Sequence, residues 1–223
     1  MAPPQGLQGE AFHDPSNTGP RASHSIPNGG TFSVYAETAI EAPPQAVYDA
    51  ILDIQKWPEW NTFVPSVHIT SHPHPHHQPL RMVEGTFMTF TVQMTPSEQT
   101  TSKEACTHVG HLRTLENHGD LTPAVTHIRW SLHNASIMAP GFIVKAERTN
   151  EIEDLGHGRT MYRTWETFGG WAAKTIKKKH EAAMKERFQD WCRDLKGYVE
   201  GKGAGVGEGA KPEDADAKPA VLS

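Results

Sequence analysis

Residues 34–61 read VYAETAIEAPPQAVYDAILDIQKWPEWN, and no other stretch of this chain says as much about its fold. Every second residue from Val34 to Ile40 is apolar or weakly polar, which is typical of a strand with one buried face. The strand ends at Pro43, and Pro44 fits the first turn of a helix because its missing N–H would be unpaired there. The stretch therefore predicts a strand that leads through a Pro-Pro step into a short helix.

A second short helix is predicted directly after the first. Asp53 is placed to cap it, and Ile54, Trp57 and Trp60 then lie on one side of it. These three side chains present a large apolar area for so short an element. We therefore expect the element to pack against the main core.

The far end of the chain carries a second informative pattern. Residues 159–172 read RTMYRTWETFGGWA, a strand that ends in an aromatic residue and glycines before a long helix over residues 171–199. Together with the opening strand and its two helices, this pattern resembles the SRPBCC superfamily. That superfamily is the START-like or birch-allergen-like group, which includes polyketide cyclases/dehydratases and coenzyme Q-binding proteins. The resemblance covers residues 31–200.

The resemblance implies an α+β helix-grip fold. In such proteins a curved antiparallel β-sheet wraps around a long carboxy-terminal α-helix and encloses a cavity for lipids, isoprenoids, polyketides or hormones. The fold alone does not assign the chemistry, because one architecture serves many functions. The function therefore has to be argued from the side chains that reach the cavity.

The composition divides the 223 residues into one domain and two terminal segments. Residues 1–30 are rich in Pro, Gly, Ser and Asn and hold few large apolar residues, while residues 201–223 are rich in Gly, Ala and charge. Such segments bury too little apolar surface to offset the entropy of ordering, so we expect both to be disordered. Residues 31–200 then form a START-like ligand-binding domain, which is large enough to fold without disulfides.

Charge and hydropathy narrow the choice of partners. The formal net charge is −5 at pH 7, which gives no reason to expect nucleic-acid binding. No apolar run is long enough to span a membrane, and the first 30 residues resemble neither a signal peptide nor an arginine-rich transit peptide. We therefore expect a cytoplasmic monomer whose partner is a hydrophobic small molecule.

The segment SHPHPHHQP, residues 71–79, suggests a metal site because it holds four histidines. A built site needs ligands that are held by supporting hydrogen bonds, often with a carboxylate or thiolate among them, and this proline-rich loop offers imidazoles alone. Cys106 and Cys192 stand in unrelated contexts, so they imply neither a disulfide nor a metal knuckle. We therefore predict no metal and no cofactor.

The middle of the chain contains strands with a recognisable inner face. Residues 82–94 alternate so that one face carries Met82, Glu84, Thr86, Met88, Phe90, Val92 and Met94. Glu84 is the lone acid on that face. Residues 124–133 place Trp130 on an apolar face. Residues 102–116 are also predicted to form a strand, but both of its faces mix polar with apolar residues, so its side chains stay unassigned.

Residues 143–154 and 159–168 are predicted to form a β-hairpin around the glycine-flanked His157. A three-residue loop that is closed by a glycine with positive φ is a common geometry for such a connection. Centring the hairpin on His157 places Arg148 directly opposite Glu166 on the inner face.

The inner face of the predicted sheet carries a sparse polar set that consists of Glu84, Arg148, Asn150, Tyr162 and Glu166. A buried charge must be paired or neutralised. One interpretation is that Arg148 and Glu166 form an ion pair that only holds the sheet. The other is that Arg148 binds a carboxylate, enolate or carbonyl oxygen, while a carboxyl group in apolar surroundings acts as acid or base. The residues leave both interpretations open.

The carboxy-terminal helix adds one further candidate. Its apolar stripe has helical spacing and includes His180, which is either a packed core residue or a general base. In the group that the chain resembles, the first half of this helix lines the cavity. The candidate catalytic residues are therefore His180, Glu84 and Glu166. The candidate ligand-binding residues are Trp60, Met88, Phe90, Trp130, Arg148, Asn150, Tyr162, Phe168 and Met184.

Two functional hypotheses follow. The first is a carrier or sequestering protein that binds a lipid, isoprenoid or polyketide in its cavity, which needs only an apolar pocket with a few orienting polar groups. The second is a polyketide cyclase/dehydratase-like enzyme that uses acid and base residues in the same cavity. The sequence shows no nucleophile elbow, nucleotide-binding loop or zinc-protease motif. Binding ranks slightly above catalysis, because no unambiguous catalytic pair is visible.

Overall fold

The structure is a computed structural model, and it describes residues 6–118, 123–133 and 143–201. The strands are β1 (Phe32–Ile40), β2 (Ser66–Ser71), β3 (Phe87–Thr95), β4 (Glu98–Val109), β5 (Val125–Leu132), β6 (Lys145–Gly156) and β7 (Arg159–Gly169). The helices are α1 (Glu10–His13), α2 (Pro44–Leu52), α3 (Leu115–His118) and α4 (Ala173–Val199), with a 3₁₀ helix over Ile54–Glu59.

The seven strands form one antiparallel sheet in the order β1-β7-β6-β5-β4-β3-β2. Its edge strands β1 and β2 do not pair with each other, so the curved sheet is open rather than closed into a barrel. The long helix α4 packs across the sheet against β1, β3 and β7. This arrangement confirms the predicted α+β helix-grip fold.

The tryptophan-proline segment fills the space between α4 and the sheet. The ring of Trp57 meets the ring of Trp191 on α4 edge-on, with 4.9 Å between centroids, and lies 5.5 Å from the ring of Phe90 on β3. Trp57 Nε1 also donates hydrogen bonds to the backbone carbonyls of Ala50 and Ile51, both at 3.2 Å. The segment therefore fastens α2 to the core, as its aromatic content predicts.

The second predicted helix is present as a 3₁₀ helix rather than an α-helix. Pro58 lies inside it and has no N–H to donate, which disfavours a regular α-helix at this point. Trp57 and Trp60 are nonetheless almost fully buried, at 0% and 1% exposure. The expected packing is therefore achieved by a tighter element.

The β6–β7 hairpin has the predicted register. Arg148 pairs with Glu166, and the pairing continues without a shift as far as Asp154 opposite Thr160. The turn differs in detail, because a bulge at Gly156 leaves His157 and the following glycine as a two-residue turn with positive φ at both positions. Such a turn matches the twist of the strands, so the register is retained although the loop is shorter than predicted.

The structure contradicts the expected disorder of the amino-terminal segment for residues 6–30. These residues lie against the outer face of the sheet, where the side chain of Arg21 is fully buried. The Arg21 guanidinium donates to the backbone carbonyls of Phe12, Asp14 and Asn17 at 2.7 to 2.8 Å. It also lies 4.7 Å from the ring centroid of Tyr35 on β1.

Hydrogen bonds from the sheet complete this attachment. Trp165 Nε1 and the Thr167 hydroxyl of β7 donate to the backbone carbonyls of Ala22 and Arg21 at 3.1 and 2.7 Å. The Ser25 hydroxyl donates to Glu147 of β6 at 2.8 Å. Composition fails here because it counts large apolar side chains, whereas this segment is held by buried hydrogen bonds together with a few apolar contacts, such as the ring of Phe12 at 5.2 Å from that of Trp165. Residues 202–223 of the second predicted disordered segment lie outside the described residues.

The helices of the described ranges include none that is both long enough and apolar enough to cross a membrane. Cys106 and Cys192 are buried free thiols.

Candidate functional site

A cavity of about 160 Å³ lies between α4 and the inner face of the sheet. Most of its lining is apolar or aromatic, and the polar exceptions come from β4, β6 and β7. The lining residues are Phe63, Val64, Phe90, Val92, Met94, Thr100, Ser102, Glu104, Trp130, Arg148, Glu166, Phe168 and Met184.

The structure brings six of the predicted site residues together in this cavity. They are Phe90, Trp130, Arg148, Glu166, Phe168 and Met184. They come from four different strands and from α4, so no local sequence pattern could have grouped them. The hairpin register and the alternation of each strand were the signals that pointed to them.

Four predicted ligand-binding residues lie outside the lining. Trp60 is buried in the core against Trp191 and Tyr198, with centroids 5.3 and 5.9 Å away. Met88 is buried on β3 at 1% exposure. The remaining two, Asn150 and Tyr162, are fully buried and hydrogen-bonded to each other.

Two of the predicted catalytic residues, Glu84 and His180, also lie outside the cavity lining. The Glu84 side chain is 68% exposed, and its carboxylate lies 3.9 Å from His108 Nδ1. The reason is Gly85, whose φ of 86° turns the chain before β3 begins and ends the alternation that was read through residue 84. His180 is half-buried one turn before Met184 and does not line the cavity. Glu166 alone of the three catalytic candidates is in place.

Arg148 is the only basic residue among the described lining residues, and it is 4% exposed. Its Nε donates to the Thr164 hydroxyl at 3.0 Å, and its guanidinium carbon lies 4.0 and 4.3 Å from the ring centroids of Trp191 and Phe188. These contacts hold the guanidinium in one place. Burial lowers the pKa of Arg148, but a guanidinium keeps its charge in proteins.

Arg148 and Glu166 are cross-strand partners as predicted, but they do not form the ion pair that one of the two interpretations requires. Among the described residues, Nη2 of Arg148 is buried without a hydrogen-bond partner. A buried donor that is left unsatisfied carries a substantial desolvation cost. A ligand oxygen in the cavity would remove that cost, so Arg148 is suited to bind one.

A hydrogen-bonded chain beneath the cavity supports this geometry. Trp191 Nε1 of α4 donates to the Tyr162 hydroxyl at 2.8 Å, and that hydroxyl donates to Asn150 Oδ1 at 2.7 Å. Asn150 Nδ2 in turn donates to the backbone carbonyl of Ile128 on β5 at 3.1 Å. The chain ties α4 to three adjacent strands, so these predicted binding residues act as supports for the cavity.

Two carboxyl groups share the cavity with Arg148. Glu104 is 6% exposed and accepts a hydrogen bond from the Ser102 hydroxyl, and burial together with the nearby Glu166 raises its pKa to about 8. Burial also raises the pKa of Glu166 to about 7, although Arg148 acts in the opposite direction. Both carboxyls can therefore gain or lose a proton near neutral pH, which is what general acid–base catalysis requires.

Sequence reasoning missed Glu104 because it left residues 102–116 unassigned. Pro96 and Ser97 are the only residues between β3 and β4, which is a signal for a two-residue hairpin. That turn alone would not have given the register, because a bulge between Gln93 and Thr95 shifts the pairing by one residue. With this shift Met88 pairs with Glu104, whereas an unbulged hairpin would have turned Glu104 to the other face.

The histidine-rich loop makes only local contacts. His72 Nε2 lies 2.9 Å from the backbone carbonyl oxygen of Arg81, and the rings of His74 and His77 stack with 5.4 Å between centroids. Within the described part of the chain, no three His, Cys, Asp or Glu side chains converge in a way that could hold a metal ion.

A family model described as polyketide cyclase / dehydrase and lipid transport matches residues 31–200 of this chain. The matched range has the same bounds as the domain that the sequence predicts. It also contains every residue that lines the cavity.

Curated proteins and solved structures add further likenesses. The oxopyrrolidines biosynthesis cluster protein O of Penicillium oxalicum is 25% identical over 193 residues, which cover 81% of this chain and 93% of that protein. A hypothetical protein of Helicobacter pylori superposes with a TM-score of 0.58 at 17% identity, over 78% of this chain and 91% of its own. The Zhui aromatase/cyclase of a Streptomyces species superposes with a TM-score of 0.53 at 14% identity, over 75% and 93%. At such identities the two structures are evidence for the fold alone.

Proposed function

Because this chain belongs to the polyketide cyclase / dehydrase and lipid transport family, we propose that its cavity binds a carbonyl compound and catalyses acid–base chemistry on it, namely cyclisation or dehydration. One observation carries the proposal. A buried arginine with a free N–H and two carboxyls that titrate near neutral pH line the same apolar cavity. Apolar walls strengthen each of these electrostatic interactions.

Arg148 is the residue that binds the carbonyl oxygen. Its Nη2 donates a hydrogen bond to that oxygen and stabilises the negative charge that develops there as the α-proton leaves. The guanidinium does not have to reorganise during the reaction, because Trp191, Phe188 and Thr164 already hold it. Preorganised donors of this kind account for a large share of the rate enhancement in many enzymes.

The two carboxyls divide the proton transfers between them. Glu166, with the lower pKa, acts as the base and takes the α-proton as a carboxylate. Glu104, with the higher pKa, acts as the acid and gives its proton to the departing hydroxyl oxygen. The C–O bond breaks as the C=C bond forms, and water is released. Proton exchange with solvent then returns Glu166 to the carboxylate and Glu104 to the acid.

The Penicillium relative supports this class of chemistry, since its name places it in a biosynthesis cluster for oxopyrrolidines. An oxopyrrolidine is a ring that bears a carbonyl group. A carrier role is the second candidate, and the apolar residues that line most of the cavity favour it. A carrier would need Arg148 to orient its ligand, but it would not require a carboxyl group that gains or loses a proton.

A dehydration assay tests the proposal. We expect the protein to convert 3-hydroxycyclohexanone to cyclohexenone, which is followed by its ultraviolet absorbance. Arg148→Met is expected to lower kcat/KM by about 100-fold or more, which is the typical effect of removing one oxyanion donor. Arg113→Met, a change at an exposed arginine outside the cavity, is the matched control and should leave the rate unchanged.

Equal rates for the Arg148→Met variant and the unaltered protein would contradict the proposed role of Arg148. A protein that turns over no hydroxyketone but retains a lipid or isoprenoid in native mass spectrometry would favour the carrier instead.

The pH profile makes a separate prediction. We expect kcat/KM to be bell-shaped with its maximum between pH 7 and 8, because Glu166 must lose its proton near pH 7 and Glu104 must keep its proton up to pH 8. Glu166→Gln should remove the acidic limb, and Glu104→Gln should remove the alkaline limb, each with a low residual rate. A profile that stays flat from about pH 5 to about pH 9 would exclude these roles.

A further inference from the structure

The two halves of α4 are packed against the domain to different degrees. The structure describes the whole helix, and all of its buried residues except Ala173 lie between Met184 and Leu195. Over residues 174–183 no side chain is buried, and Ile176 is only half-buried against the core. A region with few buried apolar contacts opens more readily than the rest of a protein. The cavity lies at the boundary between the two halves, because Met184 lines it.

The amino-terminal segment, residues 6–30, is bonded to α4 on either side of this boundary. The Thr18 hydroxyl donates a hydrogen bond to the carboxylate of Glu181. Lys185 Nζ donates to the backbone carbonyl of Ser16 at 3.2 Å. The segment therefore holds α4 at the turn of the helix that contributes Met184 to the cavity wall.

Thr18 also connects α4 to the edge strand β1. Its backbone carbonyl accepts a hydrogen bond from the Ser33 N–H at 3.2 Å, and the Ser33 hydroxyl donates to the next carbonyl, that of Gly19, at 2.6 Å. Lys179 and Glu98 form another tie between α4 and the sheet, but both are exposed and lie 3.9 Å apart, so this ion pair contributes little. Thr18 is thus bonded to the sheet on one side and to the first half of α4 on the other.

The end of the segment is fixed to a second part of the cavity wall. Thr31, which follows the segment, donates its N–H to the backbone carbonyl of Phe168 at 2.8 Å. A Cβ at Gly30 would lie 2.5 Å from the same carbonyl oxygen, so glycine is needed for this close approach. The ring of Phe168 lines the cavity. The segment is therefore attached to two of the elements that form the wall, α4 and β7.

From these contacts we infer that the amino-terminal segment controls access to the cavity. Thr18 holds the first half of α4 against β1, and loss of this tie lets that half move away from the sheet about the well-packed second half. Thr18 is a positioning residue in this respect, because it acts on a ligand through α4. The segment lies outside the range of the family model, so this control is a feature of the present chain.

The size of the cavity agrees with a closed state. It measures about 160 Å³ with the segment in place, whereas ligand sites commonly measure roughly 300–1,000 Å³. An apolar cavity of about 150 Å³ holds one benzene ring. The closed cavity therefore admits a compound of one ring, and release of α4 should admit a larger one. The inference does not depend on the proposed function, because a carrier and an enzyme both have to load and release a ligand.

Ligand exchange measured by fluorine-19 NMR tests the inference. The probe is 4-fluorophenol, a single ring whose hydroxyl oxygen can accept a hydrogen bond from Arg148. Thr18→Val keeps the shape of the side chain and removes its donor, while Glu181 keeps its ion pair with Lys177. We expect the dissociation rate constant of the probe to rise about 10- to 100-fold in this variant, the range for one hydrogen bond to a charged group.

Two variants serve as matched controls for Thr18→Val. The Ser16 hydroxyl donates to Asp14 within the segment, and Ser16→Ala retains the backbone carbonyl that Lys185 contacts. Ser16→Ala should therefore leave the exchange of the probe unchanged. Thr18→Ser retains a hydroxyl and should behave like the unaltered protein.

A larger probe tests the size limit. We expect 2-tert-butyl-4-fluorophenol to bind the unaltered protein about tenfold or more weakly than 4-fluorophenol, because the additional group does not fit the closed cavity. Thr18→Val should remove most of this difference. A difference that is the same in both proteins would contradict control of the opening by Thr18.

Hydrogen exchange by mass spectrometry follows α4 without any ligand. In Thr18→Val, residues 174–183 should lose protection about tenfold, while residues 188–195 keep theirs. Lys185→Met removes the other tie and should act in the same direction, which keeps the test open if Thr18→Val does not fold. Unchanged protection of residues 174–183 in both variants would overturn the inference. Faster exchange of α4 without faster exchange of the probe, or no binding of 4-fluorophenol to any variant, would overturn it as well.

Discussion

Glu104→Gln is expected to raise the free energy of unfolding by roughly 3–5 kcal/mol at pH 9, although the mutation removes a hydrogen-bonded carboxyl. The pKa of Glu104 rises from an ordinary 4.5 to about 8 in the folded protein, mainly because the group is buried. At pH values between 4.5 and about 8, Glu104 has lost its proton in the unfolded chain but retains it in the folded chain. The free energy of unfolding therefore falls as pH rises through this window, by about 1.4 kcal/mol per pH unit.

Glutamine does not titrate and can still accept the hydrogen bond from Ser102. The free energy of unfolding of the variant should therefore not fall in this pH range. Urea denaturation at pH 5 and pH 9 measures the effect, with the partly exposed Glu98→Gln on the same strand as the matched control. The difference between the variant and the unaltered protein should be small at pH 5 and large at pH 9. Equal destabilisation by Glu104→Gln at both pH values would show that the carboxylate form has a strong partner, contrary to the structure.

Arg21→Met is expected to lower the free energy of unfolding by about 2–4 kcal/mol and to release the amino-terminal segment from the sheet. The Arg21 side chain is fully buried and donates to three backbone carbonyls and, at 3.2 Å, to the Ser33 hydroxyl. Methionine can replace the aliphatic stem of arginine but has no donors, so these buried carbonyls would lose their partners. The segment lies outside the matched family range, so its release should leave the cavity-bearing domain folded.

Hydrogen exchange by mass spectrometry checks this prediction. Residues 6–30 should exchange fast in the Arg21→Met variant, while the β3–β4 hairpin keeps its protection. Arg193→Met, at a side chain that is 68% exposed, is the control and should change neither region. Unchanged protection of residues 6–30 in the Arg21→Met variant would mean that Arg21 does not hold the segment.

The sequence predicted the parts of the fold that depend on local pattern. The Pro-Pro step, the tryptophan-proline segment and the long final helix identified the helix-grip architecture, and the glycine-flanked His157 fixed the register of β6 and β7. That register placed Arg148 opposite Glu166 correctly, because a one-residue slip would have turned one of them outward. Whether the two would form an ion pair could not be predicted, because it depends on the rings of α4.

The failures have different physical causes. Alternation was read through Glu84 although Gly85 breaks the strand there. Glu104 was missed because its strand mixes polar and apolar residues on both faces. Arg21 counts as polar in any composition rule, yet it is buried because backbone carbonyls from its own segment surround it. Backbone conformation at a glycine, strand register and backbone carbonyls as acceptors are what the hydrophobic pattern alone does not report.

The structure also changes the balance between the two functional hypotheses. Binding ranked slightly above catalysis on sequence because no unambiguous catalytic pair was visible. The observed cavity instead holds an arginine with a free N–H and a second carboxyl, Glu104. These are the elements that acid–base catalysis needs and that a carrier would not require.

Carbon-13 NMR titration of the glutamate side-chain carboxyls tests most directly whether the cavity is an acid–base site. We expect two resonances with apparent pKa values near 7 and 8, and they should be assigned by their loss or change in Glu166→Gln and Glu104→Gln. Arg148→Met should raise both pKa values further, because the guanidinium stabilises both ionised forms. Two carboxyls that titrate near the ordinary 4.5 and do not respond to Arg148→Met would contradict the account.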